Sequence, residues 1–405
     1  MSVNVAGVRR TLAATLLAAT AACSADGTST SPGVSPGAEA LATVMSPAVL
    51  SQGRQIFRFD TFGNETFWSD TAAMHEKVST LSPIDALGVG LKVDFDALPA
   101  AIQQAVRAGL VDLSSPATTV TLLEHDAVLG IKAQVENGSI VRLGITCAFC
   151  HSTVDNAVIP GVGSRLDGWP NRDLNVGAII ALSDALPDFP YSTWGPGMYD
   201  PRFNLDGQNH PVVIPPAFGL RHVKKELYTG DDDVSYWNAY VAITQMHGHG
   251  SFSDPRINVS VNNPPDLVSS KLEALRAYQF SLETPAARAG TFDVAAARRG
   301  RAVFNGVAGC ARCHRGSVYS DINSGEFHTP AEVGQDPQYA LRSVTKLYRT
   351  TPLRGLWNPP QLDGPYFHDG SAPTLAAVVE HYVAQFGLSL TARQKADLIE
   401  FLKTL

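Results

Sequence analysis

Two Cys-x-x-Cys-His motifs constrain this chain more than any other feature of its sequence. They lie at Cys147, Cys150 and His151, and at Cys310, Cys313 and His314. This spacing lets two thiols form thioethers with the vinyl groups of one haem, while the imidazole that follows reaches the iron. A zinc cluster of thiolates and imidazoles is the alternative, but zinc does not need a His directly after the second Cys. The sequence therefore predicts two covalent haem c groups with His151 and His314 as iron ligands.

Size and composition are those of a globular protein with substantial cores. The chain has 405 residues, of which 44% are hydrophobic and 17% charged, and its formal net charge is −7. Such a length suffices for about two or three domains. Because the chain has no excess of basic residues, its composition does not favour nucleic-acid binding.

The N-terminus has the layout of an export signal. Two arginines precede an uncharged apolar stretch over 12–22, which is too short to span a membrane. We expect residues 1–22 to be a signal peptide. Residues 23–45 begin with a segment rich in Ser, Thr, Gly and Pro, and we expect them to form a flexible tether.

Cys23 is the one cysteine outside the two motifs. Its position suits lipidation after signal cleavage and resembles a bacterial lipoprotein signal, although Thr20 stands where Leu is usual. Plain cleavage near Ala21 or Ala22 is the alternative. Both routes predict an exported protein, in the bacterial periplasm or secreted. After lipidation, the lipid on Cys23 would anchor it to the inner or outer membrane. With the other thiols on haem, no disulfide is expected.

A faint internal repeat accompanies the two motifs. The pattern Gly-x-x-(Ile/Val)-Phe occurs at 53–57 and again at 300–304. A helix with this Gly and an aromatic residue usually opens a c-type haem domain. The second copy lies directly before its Cys motif, whereas the first is far from Cys147. The first domain is therefore predicted to carry a large insertion, roughly from Asp60 to Arg142.

Local signals place further elements around these motifs. Asp293 is a predicted N-cap and Gly306 a helix stop, while Thr391 and Gln394 form a capping box before a C-terminal helix. An amphipathic helix is predicted over 98–110, and irregular loops over 160–216. The fold expected is mainly α, with two cytochrome c-type haem domains at 46–290 and 291–405. The first is enlarged by long insertions and irregular loops.

Residues 292–405 resemble the C-terminal domain of bacterial di-haem cytochrome c peroxidases and MauG-type enzymes. Besides the second Cys motif, the resemblance rests on the segment 348–354 and on Pro365-Tyr366-Phe367-His368-Asp369-Gly370, continuing to 380–382. Di-haem rubber oxygenases share this signature, so it does not select one chemistry. In the family His368 would lie on a turn near the haem as a structural residue.

The resemblance also bears on the sixth ligand of the second haem. The place where peroxidases have Met and MauG has Tyr falls on Tyr382. No Met follows Met246, which excludes His/Met ligation by this domain. Tyr382 and its neighbour His381 are the two candidates. Either ligand would lower the reduction potential relative to a thioether.

A calcium site between the haems is a second implication of the resemblance. The matching positions in this sequence are Asn175, Asp363 and Pro365. Ligation by oxygen atoms alone suits calcium. Calcium is therefore a candidate second cofactor.

The first half departs from the family pattern. Asp167 stands where peroxidases have a reversible distal His, and their catalytic glutamate has no counterpart in this sequence. The first haem is then either permanently open or closed by another residue such as His210, His247 or His249. Trp169, Trp194 and Trp237 are candidate electron relays between the haems.

These features together predict an exported di-haem oxidoreductase. His151 would hold the reactive iron, where peroxide or dioxygen binds, and the haem on His314 would relay electrons. The expected electron donor is a small redox protein or a quinol-linked system. The alternative is a periplasmic electron-transfer cytochrome without enzymatic activity, in which both irons are six-coordinate.

Overall fold

The computed structural model describes residues 45–357 and 364–405. Helix is the main regular structure of these residues, with 40% helix against 12% strand. The predicted mainly α class is thus confirmed. The α-helices of the described residues are α1 (Pro47–Phe59), α2 (Met74–Val78), α3 (Pro83–Gly88), α4 (Ala100–Arg107), α5 (Pro116–Glu124), α6 (Ala148–His151), α7 (Val176–Ile180), α8 (Phe203–Asp206), α9 (Val234–Tyr240), α10 (Leu272–Ser281), α11 (Val294–Asn305), α12 (Pro330–Val333), α13 (Gln338–Leu341), α14 (Leu375–Gln385) and α15 (Ala392–Leu402).

Strands in the described residues are short and pair two by two. They are β1 (Val93–Asp94), β2 (Ile131–Glu136), β3 (Ser139–Ile145), β4 (Ser152–Val154), β5 (Val162–Gly163), β6 (Arg165–Asp167), β7 (Met198–Tyr199), β8 (Val212–Val213), β9 (Gly250–Asp254) and β10 (Val259–Asn263). Strands β1 and β5 pair in parallel, and the antiparallel pairs are β2–β3, β4–β6, β7–β8 and β9–β10.

The internal repeat corresponds to two pairs of crossing helices. Helix α1 packs against α10, and α11 packs against α15. A Cβ at Gly53 would overlap the carbonyl oxygen of Ala274, and one at Gly300 would overlap that of Asp397. Glycine at both places lets two backbones approach more closely than any other residue allows. Both helices of the second crossing were predicted from sequence, whereas α10 of the first crossing was not.

Aromatic side chains pack beside both crossings. The rings of Phe57 and Tyr278 lie 5.6 Å apart, edge to face, in the first pair. In the second pair the rings of Phe304 and Phe401 lie 5.1 Å apart. Such edge-to-face contacts add to the apolar burial that holds two helices together. The repeated Phe of the sequence pattern is therefore a core residue in both halves.

The predicted helix ends are found in the structure. Asp293 caps α11 by accepting a hydrogen bond from the backbone N–H of Ala296 at 2.7 Å, and Gly306 follows its last turn. Thr391 and Gln394 form the capping box of α15. Helix α4 is shorter than the predicted 98–110 and has no fully buried residue.

The insertion between α1 and the first Cys motif contains a hairpin that is not predicted above. Strands β2 and β3 are joined by Asn137 and Gly138, both with positive φ. An Asn-Gly pair between alternating apolar residues is the strongest short signal for such a hairpin. Residues 160–216, which were predicted as irregular loops, contain the short helices α7 and α8 and the short strands β5 to β8, joined by turns.

Three main apolar cores support these elements. One lies in the insertion and the loops after the first Cys motif, one around α1, α9 and α10, and one between α11, α14 and α15. The described residues belong to one compact unit, so contacts also join the two predicted domains. For example, Arg342 donates to both carboxylate oxygens of Asp200 and pairs with Asp206. The division at 290/291 remains a prediction from sequence.

Candidate haem-binding sites

Each Cys-x-x-Cys-His motif folds into a tight turn, which is α-helical in the first motif and begins as a 3-10 helix in the second. The backbone N–H of His151 donates to the carbonyl of Cys147 at 3.2 Å, and that of His314 donates to the carbonyl of Cys310 at 2.9 Å. This turn brings the two cysteines and the histidine of each motif close together. The four cysteines are free, so no disulfide closes either motif.

Burial keeps these thiols protonated. It raises the pKa of Cys147 and Cys150 to about 12 and that of Cys310 to about 11. A redox dithiol works through a cysteine whose pKa is lowered instead. The motifs thus lack the electrostatics of a thiol–disulfide centre, whereas a buried cysteine pair beside a histidine fits covalent haem attachment.

His314 is oriented for ligation by its second ring nitrogen. Its Nδ1 lies 2.9 Å from the carbonyl oxygen of Tyr319, which can only accept, so Nδ1 carries the proton. Nε2 is then the nitrogen with a free lone pair, as in metal-bound histidines whose other nitrogen is held by a carbonyl. Burial lowers the pKa of His314, which keeps the ring neutral and able to bind iron.

His151 is neutral for the same reason. Burial lowers its pKa to about 4; the Pro215 carbonyl opposes this shift, while the charge of Arg172 adds to it. Its Nδ1 is buried and makes no hydrogen bond within the described residues. The Pro215 carbonyl is thus near enough to act on the ring without closing a bond of good geometry. A neutral, buried imidazole with unused capacity fits an iron ligand.

Tyr382 and His381 point to different surroundings. Burial raises the pKa of Tyr382 to about 12, and charges at Cys313 and Cys310 add to the shift, so the phenol lies near the second motif. The Nε2 of His381 instead lies 2.9 Å from the carbonyl oxygen of Val333. The two rings are neighbours, with centroids 5.1 Å apart, but only the phenol is affected by the charges of Cys310 and Cys313. The contacts favour Tyr382 as the residue beside the second motif.

His368 has the structural environment expected of it. The residue is 5% exposed, and its Nε2 lies 3.0 Å from the hydroxyl of Tyr348. Its carbonyl accepts a hydrogen bond from the backbone N–H of Val213 at 2.7 Å. His368 thus fastens the segment after 364 to strand β8 of the first half.

The residues predicted for calcium are only partly described. The side-chain oxygen of Asn175 accepts from the backbone N–H of Ala178 at 3.0 Å and so caps α7. Pro365 follows a cis peptide bond from Gly364. Asp363 lies outside the described residues, as does Cys23, the predicted lipidation site. Calcium and lipid both stay predictions.

Asp167 has a packing role at the place of the family's distal histidine. Its carboxylate accepts from Arg58 and from the hydroxyl of Tyr278, both at 2.5 Å, and from Ser152 at 2.7 Å. Arg58 belongs to α1 and Tyr278 to α10, so Asp167 ties the first crossing to the strand after His151. Its lone pairs are used within the protein.

The candidate distal histidines are held by other contacts. Both ring nitrogens of His249 have neighbours, Thr66 at 3.1 Å and the Pro264 carbonyl at 3.0 Å. The ring of His247 stacks on Phe67 with centroids 3.5 Å apart, and burial lowers its pKa to about 4. The backbone N–H of His210 donates to Asp200 at 2.7 Å. The rings of His247 and His249 thus have partners in other segments, while the contact given for His210 involves its backbone.

The candidate electron-relay tryptophans have ordinary packing partners. Trp194 donates from its ring to Asn209 at 2.7 Å, and the ring of Trp169 lies 6.0 Å from that of Phe218. Trp237 is buried, and its ring N–H has no partner in the described part of the chain. The relay remains a prediction for all three.

Tyr199 and Gln245 form a pair near the first motif that was not predicted from sequence. The hydroxyl of Tyr199 donates to the side-chain oxygen of Gln245 at 2.7 Å. Burial raises the pKa of Tyr199 well above its usual value, and the charge of Cys150 acts in the same direction. Both residues are distant from Cys150 in sequence, Tyr199 in the two-residue strand β7 and Gln245 in a π-helical turn, so no local pattern marks them.

A crossing of two helices near a Cys-x-x-Cys-His turn is the arrangement expected of a c-type cytochrome, and this chain contains it twice. Curated relatives agree with that class. The chain is 34% identical over 125 residues to the methylamine utilization protein MauG of Methylorubrum extorquens, covering 27% of this chain and 34% of that protein. It is 30% identical over 152 residues to the cytochrome-c peroxidase IdrP1 of Pseudomonas sp. (strain SCT), covering 27% of this chain and 39% of that protein.

The resemblance to MauG and the cytochrome c peroxidases is thereby confirmed over about a quarter of the chain. The chain spans 34–40% of the length of these relatives. No family model matches it.

Two solved structures are similar to the chain at low identity. Hydrazine synthase of Kuenenia stuttgartiensis aligns with a TM-score of 0.37 and 21% identity, covering 51% of this chain and 76% of that one. A MauG-like protein associated with microbial copper homeostasis aligns with a TM-score of 0.33 and 18% identity, covering 48% of this chain and 73% of that one.

Among the described residues, no helix combines the length and apolar character needed to cross a bilayer.

Proposed function

We propose that this chain is an exported di-haem c-type oxidoreductase of the MauG and peroxidase kind. Cys147, Cys150 and His151 would hold the haem at which peroxide or dioxygen reacts. Cys310, Cys313 and His314 would hold a second haem, and Tyr382 would be a further ligand to its iron. The main observation in support is that both motifs form a turn closed from the histidine to the first cysteine, with a shielded, neutral histidine beside a protonated cysteine pair.

Haem supplies the redox chemistry when bound, and the protein sets ligation, access and polarity. The carbonyl of Tyr319 holds the ring of His314 and fixes the nitrogen that carries its proton. Tyr382 is shielded from water near the same motif, where a phenol would favour the oxidised metal more than a thioether does. These residues suit a second haem of low potential that passes electrons onward.

The first site would remain open on one side. Asp167, His247 and His249 have their polar groups or rings engaged elsewhere, and this supports a first haem without a protein ligand opposite His151. Reduction of hydrogen peroxide to two waters takes two electrons and two protons, and two one-electron cofactors can supply the electrons. A small redox protein or a quinol-linked donor would restore them.

Spectroscopy of the holoprotein tests the open site. We expect the ferric protein to show one high-spin and one low-spin haem, and cyanide or peroxide to change only the high-spin signals. Two low-spin haems that ignore both reagents would instead identify an electron carrier. An intact mass without two haem additions would exclude the proposal altogether.

A matched pair of variants tests the second site. Tyr382→Phe removes the phenol oxygen, so the low-spin signals should change while those of the first haem persist. His381→Gln removes an imidazole that bonds to the Val333 carbonyl, and the low-spin spectrum should stay the same. The opposite pattern would assign the ligand to His381.

A further inference from the structure

Arg172 is a shielded cation that has no carboxylate partner among residues 45–357 and 364–405. Its Nε and one terminal nitrogen, Nη1, are inaccessible to solvent and make no hydrogen bond within the described residues. Burial lowers the pKa of this guanidinium, against the opposing effect of Tyr228 and Tyr366. A buried charge is costly unless it is paired and hydrogen-bonded. The position therefore calls for an anion.

Arg172 differs in this respect from comparable arginines. Every other arginine in the described segments that is not highly exposed forms an ion pair with an Asp or Glu. These paired residues are Arg58, Arg142, Arg165, Arg202, Arg342, Arg349 and Arg354. The described part of the chain thus pairs its shielded guanidinium groups as a rule, and Arg172 is the exception within it.

The exception lies at the first Cys motif. Asn171, the residue directly before Arg172, donates its backbone N–H to the carbonyl of Cys150 at 2.9 Å. The charge of Arg172 also lowers the pKa of His151, so the guanidinium is within electrostatic reach of that ring. The two tyrosines that act on it come from separate parts of the chain, at 228 and 366. The unused donors of Arg172 therefore belong to the surroundings of His151.

We propose that Arg172 binds a carboxylate at this site, namely a propionate of the haem attached through Cys147 and Cys150. This inference rests on the proposed function. A guanidinium presents paired N–H donors that match a carboxylate in a planar, two-bond geometry. The ion pair removes the cost of the buried cation and holds the haem in one orientation. It also places a fixed positive charge near the iron, which stabilises the reduced state.

Spectroelectrochemical titration of the holoprotein tests this role. In Arg172→Gln the positive charge is lost, so one of the two midpoint potentials should fall. We expect at least a tenfold drop in the ratio of reduced to oxidised haem at a fixed potential, which is about 59 mV for one electron. Arg172→Lys keeps the charge but not the two-bond geometry, and its shift should be smaller. Arg221→Gln removes an exposed arginine and should leave both potentials in place.

The outcomes separate this inference from the proposed function. Wild-type protein without two covalent haems would overturn the function itself. Two intact haems whose potentials are unchanged in Arg172→Gln would overturn the role of Arg172 alone. If both midpoint potentials fell equally, and fell as far in Arg172→Lys as in Arg172→Gln, the cause would be a general loosening of the fold. That result would also overturn the role of Arg172. Binding of chloride or phosphate to the Arg172 site in the holoprotein would show that the propionate is not its partner.

Discussion

The contact between Gly300 and Asp397 is the most exacting test of the fold. Replacing Gly300 with Ala adds a Cβ that would overlap the carbonyl oxygen of Asp397 and lie 2.9 Å from the Cβ of Phe401. The first obstacle is backbone, so no rotation of a side chain relieves it. Helices α11 and α15 have to move apart, which disturbs the packing of Phe304 on Phe401.

The magnitude follows from two opposing effects. Overpacking of a tight contact costs about 1–3 kcal/mol, and a backbone obstacle points to the upper end. Ala gains about 1 kcal/mol over Gly in helix propensity. The free energy of unfolding of Gly300→Ala should therefore be about 2 kcal/mol lower than that of the wild type. Gly53→Ala should behave alike, because its Cβ would overlap the carbonyl oxygen of Ala274.

Urea unfolding of the holoprotein, followed by far-ultraviolet circular dichroism, measures the effect as a lower midpoint with an unchanged slope. Gly88→Ala is the matched control, since Gly88 lies in helix α3 and an added Cβ meets nothing within 4 Å. That variant should be as stable as the wild type or up to about 1 kcal/mol more stable. If Gly300→Ala were as stable as Gly88→Ala, the close crossing of α11 and α15 would be refuted.

Two further predictions concern buried charges. Arg342→Ala should lower the free energy of unfolding by about 3–5 kcal/mol in a denaturation experiment, because it leaves the fully buried Asp200 and the nearby Asp206 without their cation. Asp254→Asn should flatten the acid side of the pH–stability profile. Hydrogen bonds from Arg256 lower the pKa of Asp254 to about 2, so the folded state binds this proton less readily than the unfolded chain does. The stability it provides is complete above about pH 4 and is lost as the pH falls through about 2.

Each of these predictions has a clear contrary result. Arg301→Ala, at an exposed arginine, should change stability by no more than about 0.5 kcal/mol, and equal effects at 301 and 342 would deny the ion pairs their role. An Asp254→Asn protein with the same acid slope as the wild type would show that this carboxylate does not govern stability at low pH.

The sequence was enough to predict those helix ends that depend on interactions between residues only a few positions apart. The caps at Asp293 and Thr391 are hydrogen bonds between a side chain and the next turn, so short motifs encode them completely. The repeated Gly-x-x-(Ile/Val)-Phe pattern likewise marks helices whose glycine must face another backbone. The hairpin around Asn137 and Gly138 was also encoded locally, although it was not among the predictions.

The sequence alone established the two Cys-x-x-Cys-His turns and the chemistry that they favour, because spacing along the chain determines which groups a single turn can bring together. Only the tertiary structure decided which side chains lie beside those motifs. Tyr382 lies by the second motif while His381 bonds to the Val333 carbonyl, and Arg172, whose charge acts on His151, has no ion pair in the described part of the chain. Burial and partnership depend on segments distant along the chain, and no local pattern encodes which buried charge is left without a partner.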